Sequence, residues 1–80
     1  MNEQVPDPEI LKDCVRQKMP FGKYKGIFYD QLPVSYLEWL SRQGFPAGRS
    51  GMILATVYEI KINGLSSLFS EIRRRLPPTL

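Results

Sequence analysis

Residues 19–40, MPFGKYKGIFYDQLPVSYLEWL, constrain the fold more tightly than any other part of the chain. Gly22 and Gly26 bracket a turn, because glycine accepts the positive φ or close backbone approach that tight turns demand. Around them Met19, Phe21, Ile27, Phe28 and Tyr29 are strand-prone. The segment therefore reads as a β-hairpin with strands near 19–22 and 27–30. Pro20 has no N–H to give a ladder, so its position must face an edge. Leu32-Pro33 stops the second strand and opens a helix of about 33–43, on which Tyr36, Leu37, Trp39 and Leu40 form a wide apolar stripe. A two-stranded hairpin is marginal alone, so it must pack on helices. Lys23, Tyr24 and Lys25 then stand at its tip, where a rigid turn presents two cations.

The rest of the chain reads as helical. Asp7 as N-cap and Pro8 at the first helical position open a helix of about 8–17, with Ile10, Leu11, Cys14 and Val15 on one face. Glu9 in its first turn and Arg16 in its last both suit the helix dipole. Gly44 closes the 33–43 helix. Ser50 caps a third helix of about 51–62, which is apolar on more than one face and so is expected at the centre. Asn63-Gly64 breaks it, and Leu65, Leu68, Phe69, Ile72 and Leu76 make an i, i+3, i+4, i+7 stripe on a fourth helix. Pro77-Pro78 ends that helix. The expected fold class is α+β: a small single domain, mostly helical, with about four helices and one β-hairpin. Residues 1–6 read as a disordered N-terminus, 7–76 as the domain and 77–80 as a C-terminal tail.

Composition excludes several chemistries. Eighty residues allow one small domain, and 42% apolar content is enough for its core. The chain has no histidine, which removes histidine acid–base catalysis and histidine-activated nucleophiles. With a single cysteine, Cys14, there is neither an internal disulfide nor a zinc-ligand set. The carboxylates are scattered, with no cluster suited to magnesium. No catalytic residue, metal site or cofactor is expected, and the chain does not read as an enzyme. The opening MNEQVPDPEI lacks the basic start and apolar run of a secretory signal, and no apolar stretch approaches the ~20 residues that cross a bilayer. A cytoplasmic protein without a membrane partner is the expectation.

The net charge of +3 is mild, but its distribution is uneven. Residues 1–13 carry Glu3, Asp7, Glu9 and Asp13 against Lys12, whereas residues 16–25 carry Arg16, Lys18, Lys23 and Lys25 with no acid. Arg73, Arg74 and Arg75 form a second basic cluster. Such patches suit a polyanion, although charge runs also serve simply as solvated faces. Lys23 and Lys25 are the sharpest candidates, because two ammonium groups on a rigid tip bind phosphate oxygens with help from neighbouring glycine amides. The competing reading is that lysines suit a wet tip and blunt an exposed strand edge. Tyr24 and Tyr29 are able to stack on bases if exposed; Tyr29 is expected instead to pack on a helix, and Tyr24 stands between the two readings. Tyr36 and Trp39 read as core, with Trp39 clamping the hairpin to the helices and worth ~3–5 kcal/mol. The three consecutive arginines point in different directions, which favours a dipole and solubility role over a second phosphate contact. Cys14 reads as a small buried hydrophobe.

Two motifs carry a family resemblance. Met19-Pro20-Phe21-Gly22-Lys23-Tyr24-Lys25-Gly26 and Pro33-Val34-Ser35-Tyr36-Leu37-Glu38-Trp39-Leu40 together resemble the short domain of the DUF3820 family, some of whose bacterial members are labelled quorum-sensing-regulated virulence factors. The same pattern is similar to the C-terminal accessory domain of exodeoxyribonuclease X-like proteins. Gly44-Phe45-Pro46 and Asn63-Gly64-Leu65 extend the resemblance to roughly residues 19–70. It implies a shared fold, a bacterial source and, through the nuclease-associated relatives, DNA as a neighbour.

The function expected from these readings is a non-enzymatic bacterial binding module that contacts nucleic acid without strong sequence preference. Lys23 and Lys25 would meet phosphates, with Tyr24 between them. Gly22 and Gly26 would shape the loop, and Arg16 and Lys18 would extend the patch. The alternative is a protein-interaction or regulatory adaptor, monomeric or homodimeric, that uses an apolar face of the third and fourth helices. The two separate on salt: phosphate contacts weaken steeply with ionic strength, and apolar association does not.

Overall fold

The computed structural model describes residues 7–76. The expected disordered start at 1–6 and the tail at 77–80, with its Pro77-Pro78 stop, lie outside the described residues. Within them run four helices: α1 (Pro8–Arg16), α2 (Val34–Gln43), α3 (Arg49–Ile62) and α4 (Ser67–Arg75). A short 3₁₀ turn (Tyr29–Gln31) precedes α2.

The helix ends follow local chemistry. The Asp7 carboxylate accepts a hydrogen bond from the Glu9 amide at 2.9 Å, and Pro8 fills the first turn, as an N-terminus of this kind requires. Gly44 ends α2 with φ of 95°, a conformation costly for any residue with a Cβ. One cap differs from expectation. Helix α3 begins at Arg49 with Gly48 before it, so Ser50 is already inside the first turn. Its hydroxyl meets the Tyr29 hydroxyl at 2.6 Å instead of capping the helix.

Helices α1 and α3 form the centre. α1 packs on α3, α4 and the 3₁₀ turn, while α2 packs on α3. Ile10, Cys14 and Val15 of α1 meet Ile53, Leu54, Val57 and Ile60 of α3 in one core. Leu37 and Leu40 seal it from α2, Phe69 from α4, and Met19 and Leu32 from the connecting segments. Gly51 permits the closest backbone approach of any glycine: a Cβ there would lie 1.6 Å from the Pro46 carbonyl oxygen. The 44–48 connection therefore lies directly against the start of α3.

The expected α+β class is not what forms. Among the described residues there is no strand, and the fold is all-α. Where a hairpin was expected, one isolated antiparallel bridge joins Lys18 to Phe28. Two backbone bonds flank it, from the Met19 amide to the Ile27 carbonyl at 2.8 Å and from the Tyr29 amide to the Gln17 carbonyl at 3.2 Å. Two causes stop the ladder there. The Met19 carbonyl accepts from the Gly26 amide at 2.8 Å, which throws the pairing out of register, and Pro20 next to it has no N–H to donate. On the other side the chain leaves the pairing at once, because Tyr29–Gln31 coil into the 3₁₀ turn.

Candidate functional site

The segment from Gln17 to Tyr29 is a loop pinned at its base. Met19 is its anchor, with 1% of its surface exposed and both backbone groups bonded across to residues 26 and 27. Two successive turns build the outer end: the Lys25 amide bonds the Gly22 carbonyl at 3.2 Å, and the Ile27 amide bonds the Tyr24 carbonyl at 3.0 Å. Gly22 and Gly26 hold φ of 79° and 91°, as the spacing of the two glycines predicts. A Cβ on Gly22 would also come within 3.4 Å of the Tyr36 hydroxyl, so the loop lies against α2.

Of the expected site residues, the loop gathers six. Lys23 and Lys25 are exposed beside the two glycines, and Tyr24 turns inward between them. The Tyr24 ring sits 4.6 Å from that of Tyr36, so it packs against α2. Lys18 stands at the base of the loop, its ammonium 5.2 Å from the centre of the Phe28 ring. Arg16 does not join the patch as expected. Its Nε donates to Asp13 at 2.9 Å and its Nη2 to Glu9 at 2.9 Å, so its charge is already answered within α1.

Pairing divides the basic residues sharply. The chain has eleven lysines and arginines. Every arginine is in an ion pair: Arg16 and Arg49 with Asp13, Arg42 with Glu38, Arg73 with Asp30, and Arg74 and Arg75 with Glu71. Lys12 pairs with Glu9. Among the described residues Lys18, Lys23, Lys25 and Lys61 meet no carboxylate within 4.0 Å. Three of these four lie on the one loop.

Trp39 is not the core clamp expected from its place in the apolar stripe: 53% of its surface is exposed. Its ring stacks on Tyr36 at 6.2 Å with 19° between the planes. Tyr36 in turn meets Tyr24, and the Lys23 ammonium lies 5.6 Å from the Tyr24 ring centre. The result is a continuous aromatic run from the loop onto the outer side of α2, with an unpaired cation at one end. Tyr29, by contrast, is buried, as expected.

Two buried carboxylates were not foreseen as partners. Asp30, with 3% of its side chain exposed, is gripped by both Nη atoms of Arg73 at 2.8 and 3.0 Å. The same guanidinium donates to the Val15 carbonyl at 3.0 Å and lies over Phe28. It thus ties α4 to α1 and to the base of the loop, a role beyond the dipole one expected of the arginine run. Asp13 is held by Arg16 and by Arg49, whose Nε and Nη2 lie 2.8 and 2.7 Å away. Burial pushes the Asp13 carboxyl up, but the hydrogen bonds from Arg49 and Arg16 more than offset it and leave it below the ordinary aspartate value. Burial, then the charges of Asp30 and Asp13, push the Cys14 thiol up to about 12. Between the loop base and the start of α3 is an open cleft of about 300 Å³, lined by Lys18, Pro20, Tyr29, Arg49 and Ser50 among others. Its arginine is already committed to Asp13. Among the described residues no three potential metal ligands converge, and no helix is long and apolar enough to cross a membrane.

Comparison with known proteins bears out the resemblance to the quorum-sensing-regulated family and widens its extent. The family described as "Putative quorum-sensing-regulated virulence factor" matches residues 7–72, which includes α1 as well as the 19–70 stretch. The chain is 39% identical over 71 residues to "Uncharacterized protein YpeB" of Escherichia coli strain K12, covering 88% of this chain and 99% of that protein. The protein of the same description in Escherichia coli O157:H7 matches to the same extent. No solved structure matches the chain.

Proposed function

The chain belongs to the family described as "Putative quorum-sensing-regulated virulence factor", and within that family we propose that it is a non-enzymatic module that contacts nucleic-acid phosphates through Lys23 and Lys25. The observation that carries this reading is the division of the cations. The arginines are consumed in internal and surface pairs, whereas Lys18, Lys23 and Lys25 stay free together on a loop fixed at both ends. A cation already paired with a carboxylate gains less from a phosphate than one that meets no acid. Clustered free lysines are the groups whose neutralisation releases counterions and drives binding to a polyanion.

The test is a titration against fluorescent single- and double-stranded DNA and RNA at low and moderate salt. Binding should weaken as salt rises, and Lys23→Glu/Lys25→Glu should lose it while keeping its circular dichroism spectrum. The salt slope should flatten by about one unit for each phosphate contact removed. Absence of binding at tens of micromolar with both proteins folded would sink the proposal.

One observation favours a second reading. Ile62, Leu65 and Leu68 are 55%, 54% and 37% exposed where α3 passes into α4. A dimer or protein partner docking there would give a mass or complex that salt leaves unchanged, which light scattering across protein concentration would reveal.

A further inference from the structure

We infer, building on the phosphate-binding reading above, that this site takes single-stranded nucleic acid, with one base stacked on the indole of Trp39. A lone exposed apolar residue is ordinary and needs no explanation. Trp39 is not alone. It is the outer end of a run of rings: it stacks on Tyr36, which in turn meets Tyr24 at a 60° tilt. At the other end of the run stands the unpaired ammonium of Lys23. Lys25 follows two residues on, exposed and without an acidic partner among the described residues.

An exposed indole on the same run of rings as free cations is complementary to one kind of polymer. It suits a chain that alternates flat bases with anionic phosphates. The charge balance at the platform agrees. The carboxylate next to Trp39 along α2, Glu38, is neutralised by Arg42 at 2.8 Å, so it does not repel a polyanion with a free negative charge. The strand has to be single. In a duplex each base face is covered by its neighbours, and exposing one requires unstacking and unpairing at a cost of a few kcal/mol. A single strand offers its faces freely, and stacking tolerates any base because every base has a π-face. The sugar is left open, since rings and ammonium groups read what DNA and RNA share.

The experiment compares wild type, Trp39→Ala, Trp39→Phe and Lys23→Glu/Lys25→Glu against oligo-dT, oligo-U, a DNA duplex and an abasic single strand. Trp39 is the chain's one tryptophan, so its emission reports on the platform alone. Base stacking predicts that oligo-dT or oligo-U quenches this emission and the abasic strand does not. It predicts that Trp39→Ala weakens single-strand binding about tenfold or more, that Trp39→Phe restores much of it, and that duplex affinity is unchanged. Whichever of the two sugars shows this dependence identifies the strand. Single-strand affinity unaltered in Trp39→Ala, or an equal loss for single strand and duplex, overturns the inference. If the lysine double variant still abolishes binding in that case, the phosphate reading stands without it. Wild type that binds none of the strands removes both. Because the indole is half exposed, Trp39→Ala should melt cooperatively near the wild-type temperature, and Trp39→Phe guards against a folding artefact.

Discussion

Replacing Gly51 with alanine adds one methyl group where the Pro46 backbone lies directly against α3. Gly51 lies in the first turn of α3 with ordinary helical backbone, so on propensity alone alanine would stabilise it by about 1 kcal/mol. The structure reverses the sign. The new Cβ would stand 1.6 Å from the Pro46 carbonyl oxygen and 2.8 Å from its carbon. Both are backbone atoms, and no rotamer change relieves them. Either α3 retreats from the core or the 44–48 connection lifts, and the second option loosens Phe45 from the Tyr58 ring it packs on at 6.2 Å. Overpacking of this kind costs about 1–3 kcal/mol and sometimes more, and a clash with backbone belongs at the upper end. After the propensity gain is subtracted, the net loss should be about 2 kcal/mol. For a domain of this size that lowers Tm by roughly 8–16 °C. Thermal melts by circular dichroism would measure it, and a urea titration with unchanged m-value would show that the change is one of stability. A Gly51→Ala protein as stable as wild type would refute the claim that this approach is structurally required.

Other predictions concern the buried charges. Arg73→Ala should cost about 2 kcal/mol by urea denaturation. Removing one partner of a buried pair costs 3–5, reduced here because the guanidinium is 42% exposed. Arg73→Lys should recover only part, since one ammonium cannot reproduce the forked contact, and a loss under about 0.5 kcal/mol in Arg73→Ala would mean that Asp30 finds other partners. Asp13 has a folded pKa below its unfolded one, so its stabilisation is fully present above the unfolded value near 4 and is lost as pH falls through the folded value. Melts below pH 4 should therefore show a steep acid limb that Asp13→Asn flattens. Cys14, buried with its thiol pushed up to about 12, should resist a thiol reagent at pH 8 in the native protein and react on unfolding; fast native labelling would contradict the packing of α1.

The helices were legible because their signals are local. Asp7-Pro8, Gly44 and Asn63-Gly64 each act on the backbone beside them, and α1 and α2 end within a residue or so of where these place them. The turn glycines were legible for the same reason. The hairpin was not, because whether two strand-prone stretches pair depends on register, and one carbonyl bonding Gly26 at Met19 decides that. The ion pairs were equally hidden. Three consecutive arginines look alike in sequence, and only the crossing of α4 over α1 selects Arg73 for Asp30, 43 residues away. A lone carboxylate in apolar sequence, such as Asp30 between Ile27-Phe28-Tyr29 and Leu32, is the faint signal for a buried pair.

Trp39 follows from a related argument about geometry. Tyr36, Leu37, Trp39 and Leu40 look like one wide stripe, but on a helix they are two ridges of i, i+3 spacing, one residue out of phase. One helical neighbour fills the groove of only one ridge. Leu37 and Leu40 take that place against α3. Tyr36 and Trp39 are left to the loop, and the loop contributes a single ring, Tyr24, which covers Tyr36 and stops short of Trp39. The exposed indole thus results from a small fold with too few elements to cover both ridges. The same shortage holds the lysine loop against α2, because the second ridge is the surface on which it rests. Platform and cations therefore have one structural cause, and a change that detaches Tyr24 from Tyr36 should disturb both together.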